Sequence, residues 1–298
     1  MDVPLRTRFE TGRPLDLALT LAPIGGGVSM RVHGREAWRA TLTPEGPATV
    51  HLLHRDGAVE VEAWGPGAAC AASGAGALCG EEDDDTGFRP AHPALAEIHR
   101  RHPGLRLPKT RSVFEALVPV VLAQKVIGAE AHRSYLDMVK ALGEPAPGPV
   151  GLTIPPSAAV IARTPYWAFH RFGIERRRAE VIIRAARSAG RLEETVAMDL
   201  TAARQRLEAF PGVGPWTAAK VALVALGDPD AVQVGDYHIP HAVGYALEGT
   251  VRSTDERMLE LLEPYRGHRA RVIRLIVVAG IAAPRFGPKL PLRDIARD

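Results

Sequence analysis

The sequence predicts an α+β protein, with a small β-rich domain over residues 1–88 and an all-α domain over residues 89–298. Three observations predict it. Alternating apolar patterns and an Asp-Gly turn are confined to the first 64 residues. From about residue 90 the apolar residues recur at helical spacing. Between these regions lies the acidic run Glu81, Glu82, Asp83, Asp84, Asp85, read as a solvated linker. With 298 residues, the chain is long enough for two hydrophobic cores. A content of 46% hydrophobic and 24% charged residues is that of a globular protein.

The elements follow in order. Residues 15–21, LDLALTL, alternate Leu15, Leu17, Leu19 and Leu21 with Asp16, Ala18 and Thr20, which predicts a half-buried strand. Residues 50–55 and 58–64 predict two more strands. Asp56-Gly57 joins them as a hairpin turn, because glycine accepts positive φ. The Ala/Gly-rich stretch 65–80 predicts a short helix. Its SGAGALCG segment is not a nucleotide loop: the third glycine falls one residue late and no strand–helix context surrounds it.

Helices are predicted over 91–101, over 113–126 with Ser112 as cap and a break at Gly128, and over 130–142. A loop over 143–157 precedes helices over 157–163, 175–189 and 201–210. Pro215 suits the first position of a helix over 215–226, which Gly227 stops. Helices over 237–247, 254–262 and 267–279 complete the set.

Charge and composition exclude several classes. The most apolar stretch, 272–283, carries Arg274 and is too short to span a membrane, and the N-terminus lacks a signal-peptide core. A cytoplasmic, nucleoid-associated monomer is the expectation. Two cysteines cannot build a four-cysteine cluster or zinc site. His238 and His241 lack the companion ligands of a metal site, so none is expected. The net charge of +3 divides into −6 over residues 1–85 and +9 over residues 86–298. A basic helical region suits a polyanion.

The most informative segment is LEAFPGVGPWTA, residues 207–218, followed by VGDYHIP, residues 234–240. Pro211, Gly212, Val213, Gly214 and Pro215 form a two-glycine hairpin between helices. The amides of Gly212, Gly214 and Trp216 can converge on a phosphate at the positive end of the second helix. Such a contact positions a protein on DNA without reading sequence. Asp236 follows Trp216 by 20 residues at the start of a helix, which it can also cap.

This combination resembles the helix-hairpin-helix DNA glycosylase superfamily, and within it the DNA-3-methyladenine glycosylase II branch. The resemblance extends to VFEALVPVVLAQKV, residues 113–126, and to the β-rich N-terminal domain. It implies a monofunctional DNA glycosylase that hydrolyses the N-glycosidic bond of a flipped, alkylated purine in damaged duplex DNA. Asp236 is then the catalytic carboxylate that stabilises positive charge on the sugar. Trp216 stands where members that also cleave the backbone carry a Schiff-base lysine. Trp216, Tyr237, Lys220, Arg274, Tyr166 and Trp167 are the expected base pocket. Pro211, Gly212, Val213, Gly214, Thr217, Gln124, Lys125, Arg176 and Arg177 are the expected DNA contacts, with Lys125 at the position of the minor-groove wedge and Arg178 facing solvent or phosphate. No organic cofactor is implied, and a monovalent cation at the hairpin carbonyls is the one ion the resemblance suggests.

Three departures bear on the lesion. Lys125 replaces a bulky apolar wedge, and Lys220 and Arg274 replace aromatic positions expected to face an electron-poor base. They leave open a deaminated or oxidised base as substrate. A non-catalytic DNA-binding protein of the same fold is the alternative from another class.

Overall fold

The computed structural model describes residues 3–284. Its first layer is a five-stranded antiparallel sheet of β1 (Leu5–Glu10), β2 (Met30–His33), β3 (Glu36–Thr43), β4 (Gly46–Arg55) and β5 (Ala58–Trp64), in the order β1-β5-β4-β3-β2. The Asp56-Gly57 turn joins β4 to β5 with φ of 52° and 75°. Two positive φ values match the right-handed twist of the strands it joins.

The expected strand over residues 15–21 is instead a helix, α1 (Leu17–Leu21). Asp16 caps it by accepting from the Leu19 amide at 2.9 Å. Leu17 and Leu21 lie one helical turn apart, and both are buried with Val50, Leu52, Val59 and Val61 of the sheet. Leucine at every second position carries both periodicities, and the cap together with the facing core selects the helix. The Ala/Gly-rich stretch forms two short helices, α2 (Ala68–Ser73) and α3 (Ala75–Leu78), on the same face.

On the opposite face Trp38 stacks on His51 at 4.0 Å and on Trp64 at 5.4 Å. The small hairpin of β6 (Glu144–Pro145) and β7 (Thr153–Ile154) packs near it through Ile154, Leu152 and Ala40.

The second layer is helical: α4 (Pro93–Arg101), α5 (Val113–Leu122), α6 (Gly128–Leu142), α7 (Ala158–Arg163), α8 (Arg176–Arg187), α9 (Ala189–Glu193), α10 (Leu200–Glu208), α11 (Pro215–Val221), α12 (Ile239–Glu248), α13 (Asp255–Leu262) and α14 (Arg269–Val278). After α11 the chain winds wider through Ala222–Leu226, and Gly227 ends it in the left-handed region. One core gathers α5, α8, α10 and α11, and a second gathers α4, α12, α13 and α14. Among the described residues no helix is long and apolar enough to cross a membrane.

Two helix boundaries differ from expectation. Ser112 makes no capping bond. The half-buried Glu193 carboxylate takes its place, accepting from the Val113 and Phe114 amides at 2.9 and 2.8 Å. Helix α5 stops at Leu122, before the expected Val126, and Gly128, expected to break the helix over 113–126, instead begins α6. The reversal lies between them, where Lys125 adopts φ of 57°.

The acidic run is not a solvated linker. Asp83 is buried and accepts from both terminal nitrogens of Arg271 on α14, at 3.1 and 2.5 Å, and from the Leu107 amide at 3.0 Å. Asp85 pairs with Arg13 at 2.9 Å, and Glu82 takes Lys109 and Arg111. A buried carboxylate must be paired and hydrogen-bonded. Here the pairing clasps the sheet layer to the helical one. Arg39 and Thr41 of β3 add a second tie by donating to Glu115 of α5 at 2.7 and 2.6 Å.

Candidate active site

The hairpin begins where α10 ends. Asp199 caps α10 by accepting from the Thr201 and Ala202 amides. The turn then closes through the Val213 amide, which donates to the Phe210 carbonyl at 2.9 Å, and Val213 buries its side chain in the core. Gly212 adopts φ of 96°, and a Cβ there would lie 2.5 Å from Val181 of α8. Only glycine meets both demands. Gly214 is open, with nothing within 4 Å of such a Cβ. Among the described residues the amides of Gly212, Gly214 and Trp216 donate to no carbonyl of the chain. They remain free at the start of α11, as the sequence leads one to expect.

Gln124 fixes this turn from below. Its side-chain amide donates to the Gly212 carbonyl at 2.9 Å and to the Thr217 hydroxyl at 3.0 Å. Arg184 of α8 donates to the Pro211 carbonyl at 3.2 Å. Two hairpin carbonyls are therefore already engaged by side-chain donors, one of them cationic. Lys125 is exposed next to Gln124.

Asp236 lies beside the N-terminal turn of α11. Its Oδ2 accepts from the Trp216 indole Nε1 at 2.7 Å. Its Oδ1 accepts from the amides of His238 and Ile239, at 2.8 and 3.1 Å, so it caps the turn that leads into α12. Partial burial opposes ionisation, but the indole, the two amides and the nearby Lys220 charge outweigh it and hold the carboxyl below the ordinary aspartate value. Lys220, one turn along α11, sets its Nζ 4.9 Å from the centroid of the Trp216 ring. Burial pushes its pKa down, and Asp236 partly opposes that. Tyr237 is 79% exposed beside the carboxylate and meets His238 and His241 edge-on. His241 accepts from the Ser253 amide at 3.1 Å.

The loop that carries Asp236 is held by carboxylates the sequence reading did not single out. Asp228 takes Arg204 and the Asp230 amide. Asp230 takes the Arg269 guanidinium and the Gly267 amide. Asp255 accepts from the Gly235 amide at 3.0 Å. The acid-rich segment GDPDAVQVGD was the available signal. Its partners lie up to 39 residues away, so spacing could not reveal them.

The other expected pocket residues make no hydrogen bond to Asp236. Tyr166 and Trp167, 40% and 68% exposed, line a depression with Glu180, Ile183, Arg184 and Arg187, next to the hairpin that Arg184 also bonds. Arg176 lies over the Tyr166 ring at 4.7 Å and pairs with Glu180 at 2.7 Å. Arg177 is exposed. Arg178, expected to face solvent or phosphate, is buried and donates to the Leu122 carbonyl at 2.7 Å. The first-turn geometry of α8 points it back at the end of α5. Arg274 is tied to the Leu19 carbonyl of α1 at 3.1 Å, and burial brings its pKa down to about 10. It forms part of the contact between the layers and makes no bond to Trp216 or Asp236. Among the described residues no cluster of histidine, cysteine or carboxylate side chains could hold a metal ion.

No family model matches the chain. It is 30% identical over 178 residues to DNA-3-methyladenine glycosylase 2 of Escherichia coli (strain K12), covering 59% of this chain and 61% of that protein. It is 28% identical over 182 residues to DNA-3-methyladenine glycosylase of Bacillus subtilis (strain 168), covering 59% of this chain and 60% of that protein. The chain thus spans about three-fifths of the length of these curated relatives. Among solved structures, the 3-methyladenine DNA-glycosylase from Archaeoglobus fulgidus superposes with a TM-score of 0.77 at 20% identity, over 91% of this chain and 97% of that one. The Clostridium acetobutylicum 8-oxoguanine glycosylase/lyase, in complex with double-stranded DNA containing cytosine opposite 8-oxoG, gives a TM-score of 0.69 at 13% identity, over 94% and 98%. At such identities the superpositions speak for the fold. Together with the five-stranded sheet and the hairpin, they show that the chain has the fold of these DNA glycosylases, and the sequence matches show that it is similar to DNA-3-methyladenine glycosylases over about three-fifths of its length.

Proposed function

We propose that the chain is a monofunctional DNA glycosylase, hydrolysing the N-glycosidic bond of an alkylated purine flipped out of duplex DNA. The observation that carries this reading is the Asp236 carboxylate, held ionised by the Trp216 indole and two amides next to a hairpin with free N–H groups. Breaking the bond between sugar and base develops positive charge on the sugar. A fixed negative charge in a partly dry site stabilises that charge more than water can, and reorganises little during the reaction. The same carboxylate can accept a proton from the attacking water. The reaction leaves an abasic site. The hairpin amides hold the strand by a phosphate, and Lys125 enters the space the base vacates. The relatives named DNA-3-methyladenine glycosylase support the alkylated-base substrate, and the Clostridium complex supports duplex DNA as the partner. Trp216 in place of a Schiff-base lysine favours hydrolysis alone.

The test is single-turnover base release from alkylated duplex DNA with wild type and Asp236→Asn. The expected result is release by wild type and a loss of about 10²-fold or more in the variant, since a single electrostatic partner of a transition state is worth that much. Equal rates in the two proteins would remove Asp236 from the reaction.

A further inference from the structure

Lys220 is not absorbed by this reading. Its ammonium rests against the indole that holds Asp236. Among the described residues it has no carboxylate within ion-pair distance, and Asp236 is the charged side chain whose field reaches it. A lysine held this far out of water without an ion pair is costly, so its place beside the reacting carboxylate calls for a role.

Two kinds of altered purine can reach such a site. A purine alkylated at N3 or N7 is already cationic and departs as a neutral base. A purine that is neutral in DNA departs as an anion unless a proton reaches its ring. An ammonium on the face of Trp216 opposes the first and serves the second. It repels a cationic base and occupies the aromatic surface that base would stack on.

We infer that Lys220 is the general acid for departure of a neutral alkylated purine, which makes that class the preferred substrate of the glycosylase proposed above. The C1′–N9 bond breaks with its electron pair going to N9, and the Nζ proton passes to a purine ring nitrogen. Water oriented by Asp236 forms the new bond to C1′ and gives its proton to the carboxylate, and solvent reprotonates Lys220. Burial makes the ammonium a stronger acid than a lysine in water, the direction efficient proton transfer needs near neutral pH.

The experiment measures single-turnover release from two duplexes, one with the neutral adduct 1,N6-ethenoadenine and one with the cationic 7-methylguanine. It uses wild type, Lys220→Met and Lys220→Arg. Lys220→Met is expected to slow ethenoadenine release about 10²-fold, the usual worth of a general acid, and to speed 7-methylguanine release. Lys220→Arg keeps the charge but gives up no proton, so both rates are expected to be slow. Wild-type ethenoadenine release should fall as pH rises through the lysine's pKa, and Lys220→Met should lack that limb. Circular dichroism and affinity for abasic-site DNA report on folding. Ethenoadenine release that is unchanged in folded Lys220→Met, or an equal fall for both lesions, overturns the role of Lys220 alone. Absence of release of either base by DNA-bound wild type overturns the glycosylase reading and this inference with it.

Discussion

At the scale of single residues, the site turns on one hydrogen bond. Among the described residues the Trp216 indole N–H is the one side-chain donor to Asp236. Trp216→Phe keeps the ring but removes that donor. The carboxyl is then left with burial opposed by two amides and the Lys220 charge alone, so its pKa is expected to rise. Activity that needs the ionised form should persist to lower pH in wild type, and its acid limb should move up in the variant, as a pH–rate profile would register. Stability carries the same sign. A depressed carboxyl contributes stability above its unfolded value and loses that contribution as pH falls through the folded one. Acid unfolding of Trp216→Phe should therefore begin at higher pH.

At the scale of elements, the hairpin glycines do different work. Gly212 has positive φ and presses on Val181, whereas Gly214 has φ of −95° and open space. Gly212→Ala is expected to destabilise the fold by about 1–3 kcal/mol through backbone strain and the Val181 clash. Gly214→Ala should leave urea unfolding nearly unchanged, yet weaken DNA binding if its amide meets a phosphate. Urea unfolding and DNA affinity measured on both variants separate the two effects. Helix α5 depends on a remote cap. Glu193→Ala leaves the Val113 and Phe114 amides without their carboxylate and is expected to cost about 1–2 kcal/mol, read from urea unfolding.

At the scale of the whole molecule, the layers are joined by buried ions. Asp83 and Arg271 are both buried, and among the described residues no other carboxylate pairs with the Arg271 guanidinium. Asp83→Asn leaves a buried guanidinium short of its counter-charge, and a loss of about 3–5 kcal/mol is expected from thermal unfolding. Replacing both partners with apolar residues should recover much of that loss, because the penalty belongs to the orphaned charge. The uneven charge of the chain acts at long range. DNA affinity should fall as salt rises, and Arg184→Ala, which removes a guanidinium next to the hairpin, should lower the salt slope by about 1.

The sequence by itself determined the fold class, the helix–turn–helix around Gly212 and Gly214, the hairpin at Asp56-Gly57 and the pairing of that motif with Asp236. Each rests on signals within a few residues: periodicity, a proline at a helix start, a glycine where φ must be positive. The same local signals misread residues 15–21, because alternating leucines suit a strand or a helix until a facing core chooses. The strands β1, LRTRFE, and β2, MRVH, do alternate but over runs short enough to pass unnoticed, and β3 lacks a clean alternation. Only the tertiary structure decided that Asp83 meets Arg271 across 188 positions, that Glu193 caps α5, and that Arg274 ties α14 to α1. It also decided that Tyr166 and Trp167 share a depression with Arg184, and that Lys220 covers the indole. A charged side chain's partner is set by which surfaces are buried against each other. That is a property of the packed chain, and no spacing along the sequence encodes it.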